Sequence, residues 1–448
     1  MASKNTHPFR IIDLFAGCGG FTQGFFEFSQ EIAKDRGMHA FTPVAGVEIE
    51  AAAAFTYVMN FEKWASENRK KHKRIPEHQF FLGDIADWVR TDNIPKADVI
   101  LGGPPCQGFS GLGKGDPSDA RNFLWEQYFE VVKKAEPRIF IIENVDRFNS
   151  SEQITALKAA FKGIGYSLAE PQILNAADYG AAQRRMRTII IGVRGKDQHI
   201  GYPEGDYHAP HKSDGLFSSP GKIGPWRTLH DCLRADTEVP LKVDGLDLPK
   251  VLADDRGVAT VRISRKVKSL GVLTEEKILQ LRENIPGPFE SKQLHIGRQP
   301  TALSLARYKA IKPGQNRRAL READIANHGK KAMRLSTDSW DRHNNGSGDV
   351  MGRLEWTKPS VTIRTEFFKP EKGRYLHPDP TANRPLTHYE AALIQGFPRR
   401  FLWCGSKSQI ARQIGNAVPV PLAKALARHV YDALLDGAGT APAPSTAG

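Results

Sequence analysis

Four short apolar runs punctuate the first 195 residues: PVAGVEIE (43–50), ADVILGGPP (97–105), RIFIIENV (138–145) and RTIIIGVR (187–194). Each is continuous rather than alternating, the pattern of strands buried on both faces. Between them the apolar positions return with helical spacing. Ile154, Leu157 and Phe161 fall at i, i+3 and i+7, and Gly163 and Gly165 follow as stop signals. Phe21, Phe25, Phe28 and Ile32 mark another helix behind a glycine-rich turn. Strand–helix alternation of this kind predicts an α/β fold with a doubly wound sheet.

The rhythm stops near residue 196, where stretches such as GYPEGDYHAPHKSDG scatter Pro, Gly, His and Asp. It resumes near 385. THYEAALIQGFP reads as a helix broken at Gly396 and Pro398, and Leu422, Leu426, Val430 and Leu434 define an amphipathic helix at i, i+4, i+8 and i+12. This predicts a main domain over 1–195 completed by 380–436, an irregular second domain over 196–379, and a low-complexity, disordered tail at 437–448.

The 448 residues, 40% of them hydrophobic, suffice for two cores. No run approaches the roughly 18–20 apolar residues of a membrane helix, and the start, MASKNTHPFR, has no signal core. The four cysteines (Cys18, Cys106, Cys232, Cys404) are far apart, with no CxxC pair. That spacing argues against a disulfide scaffold or a zinc finger and suits a reducing cytoplasm. Charge changes the picture more. Lys and Arg number 63 against 50 Asp and Glu, a net +13. Residues 260–334 hold 17 basic against 6 acidic side chains, +11 of that excess. A local surplus suits a polyanion-binding surface. The basic stretch ASENRKKHKR (65–74) reads as an inserted linker with at most a phosphate contact.

Candidate chemistry gathers at the ends of the predicted strands. IIDLFAGCGGF (11–21) is a glycine-rich turn between strand and helix, but Thr22 stands where a dinucleotide fingerprint needs its third glycine. It suits close backbone approach by a ligand without a pyrophosphate. Glu48 ends the next strand, placed for ribose hydroxyls, and Asp84 in GDI is placed for an adenine amino group. In GGPPCQGFS (102–110), Cys106 sits in a stiff strand-end loop, a candidate nucleophile. Glu143 ends RIFIIENV, and on a parallel sheet emerges at the same edge as Cys106, where a carboxyl can hold or share a proton. Arg185 and Arg187 in QRRMR (183–187) share a face of an extended segment, so both can point at one site.

DLFAGCGGF, GGPPCQGFS, ENV, QRRMR, RPLTHYEAALIQGFP and QIGNAVPVPLAKAL, in this order, closely resemble the motifs of prokaryotic-type DNA (cytosine-5)-methyltransferases. The resemblance covers residues 9–195 and roughly 350–430. It implies a Rossmann-like methyltransferase sheet, S-adenosylmethionine as cofactor without a metal, and a target-recognition domain in the basic segment. Carried over by motif position, Phe15, Gly17, Gly19, Glu48, Ile49, Asp84, Ile85, Pro105, Asn416 and Val418 would form the cofactor site. Cys106, Glu143, Arg185 and Arg187 would be catalytic, the thiolate adding to carbon 6 of a flipped-out cytosine in duplex DNA. Gln107, Ser110 and Lys114 would contact DNA from a loop that closes over it. The resemblance further implies a cytoplasmic, nucleoid-associated monomer, the modification enzyme of a restriction–modification system with a cognate endonuclease as genetic partner. A tRNA substrate fits a chain without the basic insert, and intact Cys106, Glu143 and Arg187 oppose a silent DNA-binding module.

Overall fold

The computed structural model describes residues 7–91, 93–105, 124–150, 152–210, 224–234, 270–296, 300–327, 333–342 and 349–440. Among the described residues the main sheet has nine strands, eight of them from the first 194 residues: β1 (Phe9–Leu14), β2 (Phe41–Glu48), β3 (Gln79–Leu82), β4 (Val99–Gly102), β5 (Ile139–Val145), β6 (Tyr166–Leu168), β7 (Gln172–Asn175) and β8 (Met186–Arg194). Their order is β3-β2-β1-β4-β5-β8-β6, with β7 pairing β8. The neighbours from β3 to β5 run parallel, whereas β8 is antiparallel to β5. The four apolar runs are therefore strands, and the sheet is doubly wound and Rossmann-like. The order reverses between β1 and β4, so the ligand crevice belongs at the carboxyl ends of those two strands.

Burial on both faces explains why the runs do not alternate. Ile11, Val99, Leu101, Ile139 and Ile141 face one core. Ile12, Leu14, Ile100, Phe140 and Ile142 face the other. The first core is covered by α1 (Gly20–Arg36) and α2 (Ala51–Lys71). The second is covered by α4 (Leu124–Ala135) and α5 (Glu152–Gly163), with the single-turn α3 (Ile85–Val89) behind β3. Helix α1 buries the predicted Phe21, Phe25 and Phe28 and stops at Gly37, whose left-handed backbone donates to the Ala33 carbonyl.

The C-terminal helix Val420–Leu435 returns to pack on α1. A Cβ on Gly24 would lie 2.5 Å from the Ala423 Cβ, so the two backbones meet closely there. Lys424 pairs with Glu31 across this contact.

Three expectations need correction. Residues 65–71 of the basic stretch are the last turns of α2 rather than a linker, because Ala65 and Asn68 continue its buried face. Within the segment read as irregular, described residues form helices at Glu275–Asn284, Ala302–Ala310 and Arg318–Ala326. Thr274 and Thr301 cap the first two, and a small core of Tyr308, Ile311, Leu320, Met351 and Leu376 supports the others. These helices span too few turns for a clear periodic signal. In the tail, residues 437–440 are held: Arg138 donates to the Ala438 carbonyl, Arg194 donates to that of Gly439, and the Gly439 N–H donates to Gln198. Residues 441–448 lie outside the described residues.

The segment 270–379 also joins the sheet. Gly271–Val272 pairs antiparallel with β3 as the sheet's ninth strand, while Phe289–Glu290 and Leu402–Trp403 form a separate two-stranded sheet. Arg353 is fully buried and donates to the carbonyls of Tyr308, Ile311 and His377, tying the helical cluster to the returning chain.

Candidate active site

The glycine-rich turn bends where β1 ends. Phe15, Gly17 and Gly19 all take positive φ (56°, 56° and 89°). A Cβ on Gly17 would meet nothing within 4 Å among the described residues, so its outer face is open to them, while one on Gly19 would collide with the Phe61 and Tyr57 rings. The Glu48 carboxylate accepts from the N–H groups of Gly17 (2.8 Å), Ile49 (2.9 Å) and Glu50 (2.8 Å). Three of its roughly four acceptor positions are thus taken, leaving room for one further donor. Burial pushes its pKa up, against the pull of those bonds. Ile49 beside it is 62% exposed, an apolar platform at the mouth of the crevice.

Gly83 donates to the Glu48 carbonyl, which sets Asp84 next to this group. Asp84 also caps α3, accepting from the Ala86 N–H at 2.9 Å, and Ile85 is buried behind it. From the far end of the chain, Val418 packs onto the start of α1, its carbonyl 2.7 Å from where a Gly20 Cβ would stand. Asn416 is exposed at the end of the helix Lys407–Asn416. Cys18 is buried with its thiol on the Gln413 carbonyl, and burial pushes its pKa far up, so it is inert packing.

The second half of the site lies on β4, β5 and β8. Parallel register sets Gly102 against Ile142, so Gly103 meets Glu143: a Cβ there would lie 2.9 Å from Oε2. The amide of Asn144 donates to the Pro104 carbonyl at 3.0 Å and holds the loop ahead of Pro105, which is exposed. On β8, Arg187 pairs with Val145, and its Nε comes within 2.6 Å of Glu143 Oε1. That oxygen is buried and, among the described residues, has no donor aimed along a hydrogen-bond direction.

Arg185 is 2% exposed and donates to the Ile363 carbonyl at 3.0 Å, while its Nε has no partner among the described residues. Burial lowers its pKa most, Arg187 adds to this, and Glu143 opposes it. A guanidinium keeps its proton, so this unease is an unmet demand for negative charge. Cys106, Gln107, Ser110 and Lys114 lie outside the described residues.

Three contributors escaped the sequence reading. Asn144 holds the proline loop. Gln183 accepts from the Ile363 N–H and donates to Gln395, joining three motifs. Asp13, 1% exposed, binds Thr22 Oγ1 at 2.7 Å. A carboxylate inside an apolar strand was the available signal for Asp13. The partners of the other two come from distant segments.

The crevice at the β1–β4 switch, glycine turn on one side and carboxylate–arginine pair on the other, defines a Rossmann-like methyltransferase. The chain matches the family described as C-5 cytosine-specific DNA methylase over residues 9–432, and it belongs to that family. It is an enzyme, a cytosine-5 DNA methyltransferase related to the prokaryotic type II enzymes. It is 27% identical to type II methyltransferase M.DdeI of Desulfomicrobium norvegicum, over 94% of this chain and 88% of that one. It is 28% identical to type II methyltransferase M1.HphI of Haemophilus parahaemolyticus, over 94% and 86%. A solved structure described as a DNA modification methyltransferase encoded within an E. coli prophage covers 95% of this chain and is itself covered to 99%. It superposes with a TM-score of 0.53 at 23% identity and shares the fold.

Proposed function

We propose that this enzyme methylates carbon 5 of a flipped-out cytosine in a specific duplex DNA sequence through a covalent Cys106 adduct, with S-adenosylmethionine as donor. Restriction–modification is the setting that the type II relatives suggest. The observation that carries the reading is Glu143. Its buried Oε1 lies beside Arg187 with no donor aimed at it among the described residues, its Oε2 lies against Gly103, and Cys106 comes three residues after that glycine in sequence.

The residues present fit the cofactor. The open face of Gly17, the spare acceptor position on Glu48, exposed Ile49 and half-buried Asp84 suit backbone approach, ribose hydroxyls, an apolar adenine face and its amino group. Phe15, Gly19, Ile85, Pro105, Asn416 and Val418 complete the walls. When bound, the group supplies an electrophilic methyl.

Carbon 5 of cytosine is a poor nucleophile. The Cys106 thiolate adds to carbon 6 and converts the ring to an enamine. Glu143 holds a proton at ring N3 and accepts from the exocyclic amine, drawing electrons as sulfur adds. Arg187 holds Glu143 and the O2 carbonyl. Arg185, short of negative charge, favours the thiolate over the thiol. Once carbon 5 carries the methyl, loss of its proton and departure of the thiolate, the sulfur keeping the bonding pair, release 5-methylcytosine. A stacked cytosine hides carbon 6, so the base must leave the helix. Gln107, Ser110 and Lys114 would then steady the DNA, while the basic domain over 196–379 would read the sequence.

The test is incubation with S-adenosylmethionine and duplex DNA pools carrying 5-fluorocytosine. A covalent protein–DNA complex lost in Cys106→Ser is expected. Absence of any complex from the native enzyme refutes the adduct.

A further inference from the structure

Asp13 sits at the end of β1 where nothing in the reaction calls for a carboxylate. Helix α1 opens at Gly19, which has no side chain to cap it. The first N–H groups of a helix need acceptors, and its N-terminus attracts negative charge. In nucleotide-binding turns of this shape a ligand phosphate meets that demand. Here Asp13 meets it from inside. Its carboxylate accepts from Thr22 Oγ1 at 2.7 Å, on the third residue of the helix, whose backbone N–H also draws the carboxyl pKa down. Tyr57 of α2 touches the Thr22 hydroxyl at 3.1 Å, and its ring closes on the face of Gly19.

We propose that Asp13 is a positioning residue that fills the anion site at the start of α1 and thereby makes the pocket above it reject phosphate-bearing nucleosides. The proposal rests on the adenosyl reading of that pocket. The groups facing Asp13 are Thr22 on α1, Glu48 on β2, Tyr57 on α2, Tyr128 on α4 and the Cys18 thiol. Glu48 adds a second negative charge, so a phosphate entering beside the turn meets two carboxylates. Burial pushes the Asp13 carboxyl up to about 7, with the Thr22 bonds opposing. Rejection of phosphate therefore weakens as pH falls through neutrality.

The experiment measures equilibrium binding of S-adenosylhomocysteine and of ADP to the full chain without DNA, from pH 6 to 9. The native protein should bind S-adenosylhomocysteine, with preference over ADP increasing as pH rises. In Asp13→Asn that preference should drop roughly tenfold at pH 8, the weight of one nearby charge, and its step near neutrality should shrink to what Glu48 and the terminal phosphate of ADP contribute. Both of those titrate in either protein, so the difference between the two pH curves reports Asp13. Thr22→Val keeps the carboxylate but removes a donor, so its step should move to higher pH with preference regained by pH 9. A merely structural hydroxyl would not produce that recovery. Failure of the native protein to bind S-adenosylhomocysteine sinks the cofactor reading. Binding with an unchanged preference in Asp13→Asn, or a Thr22→Val step that does not move, sinks this one.

Discussion

Arg187 and Glu143 stand diagonally across the antiparallel pair β5–β8, with Nε 2.6 Å from Oε1 and both side chains largely enclosed. The pair is not a surface ion pair of small worth. Removing either member leaves the other charged, buried and uncompensated.

Glu143→Gln should therefore leave S-adenosylhomocysteine binding intact while lowering kcat roughly 10²- to 10⁴-fold, the range for a lost acid–base group. Single-turnover methylation beside equilibrium cofactor binding measures both. Equal losses in the two would mean that Glu143 acts through folding.

Gly103→Ala tests the contact from the other side. The new methyl carbon would lie 2.9 Å from Glu143 Oε2 and must push the carboxylate aside. We expect a fall in kcat of roughly 10- to 100-fold, since small misplacements of catalytic groups are that damaging. Thermal stability should hardly change, because Gly103 is only half-buried.

Gly24→Ala addresses the closure between α1 and the C-terminal helix. Its Cβ would stand 2.5 Å from both the Ala423 Cβ and the Lys424 backbone nitrogen. Overpacking of this kind costs about 1–3 kcal/mol, less the gain in helix propensity from alanine. The urea midpoint should fall with an unchanged slope, and cofactor affinity should weaken, because Val418 lies just ahead of this helix.

His388 gives the pH prediction. It is fully buried between the carbonyls of Ile296 and Lys407, and burial, then Lys407, hold its pKa down to about 3. The unfolded chain gains a proton at this histidine near pH 6.5, whereas the folded protein gains one only near 3. This contribution to stability is complete above about 6.5 and is lost as pH falls, at up to roughly 1.4 kcal/mol per pH unit. Melting curves of the native protein between pH 7 and 5 should show the decline, and His388→Gln should flatten part of it.

Much of the fold was legible from local pattern. Buried parallel strands read as unbroken apolar runs, and the glycine turn and Glu143 stand at the strand ends where those runs put them. The helices over 275–326 were missed because short, polar helices carry little periodic signal. The basic turns at 65–71 were misread because charge masked the buried face of α2.

The chain alone determined which residues carry reactive groups and that strand ends would present them, since side-chain chemistry and hydrophobic period are local properties. It did not determine the direction of β8. Only hydrogen bonding to β5 makes that strand antiparallel, which brings its beginning, and so Arg185 and Arg187, to the edge where Glu143 ends. A parallel β8 would have carried both arginines to the opposite edge. Likewise, only long-range packing set Asn144 on Pro104, Gln183 on Gln395 and Val418 against Gly20, because each contact joins segments whose separation along the chain says nothing of their meeting.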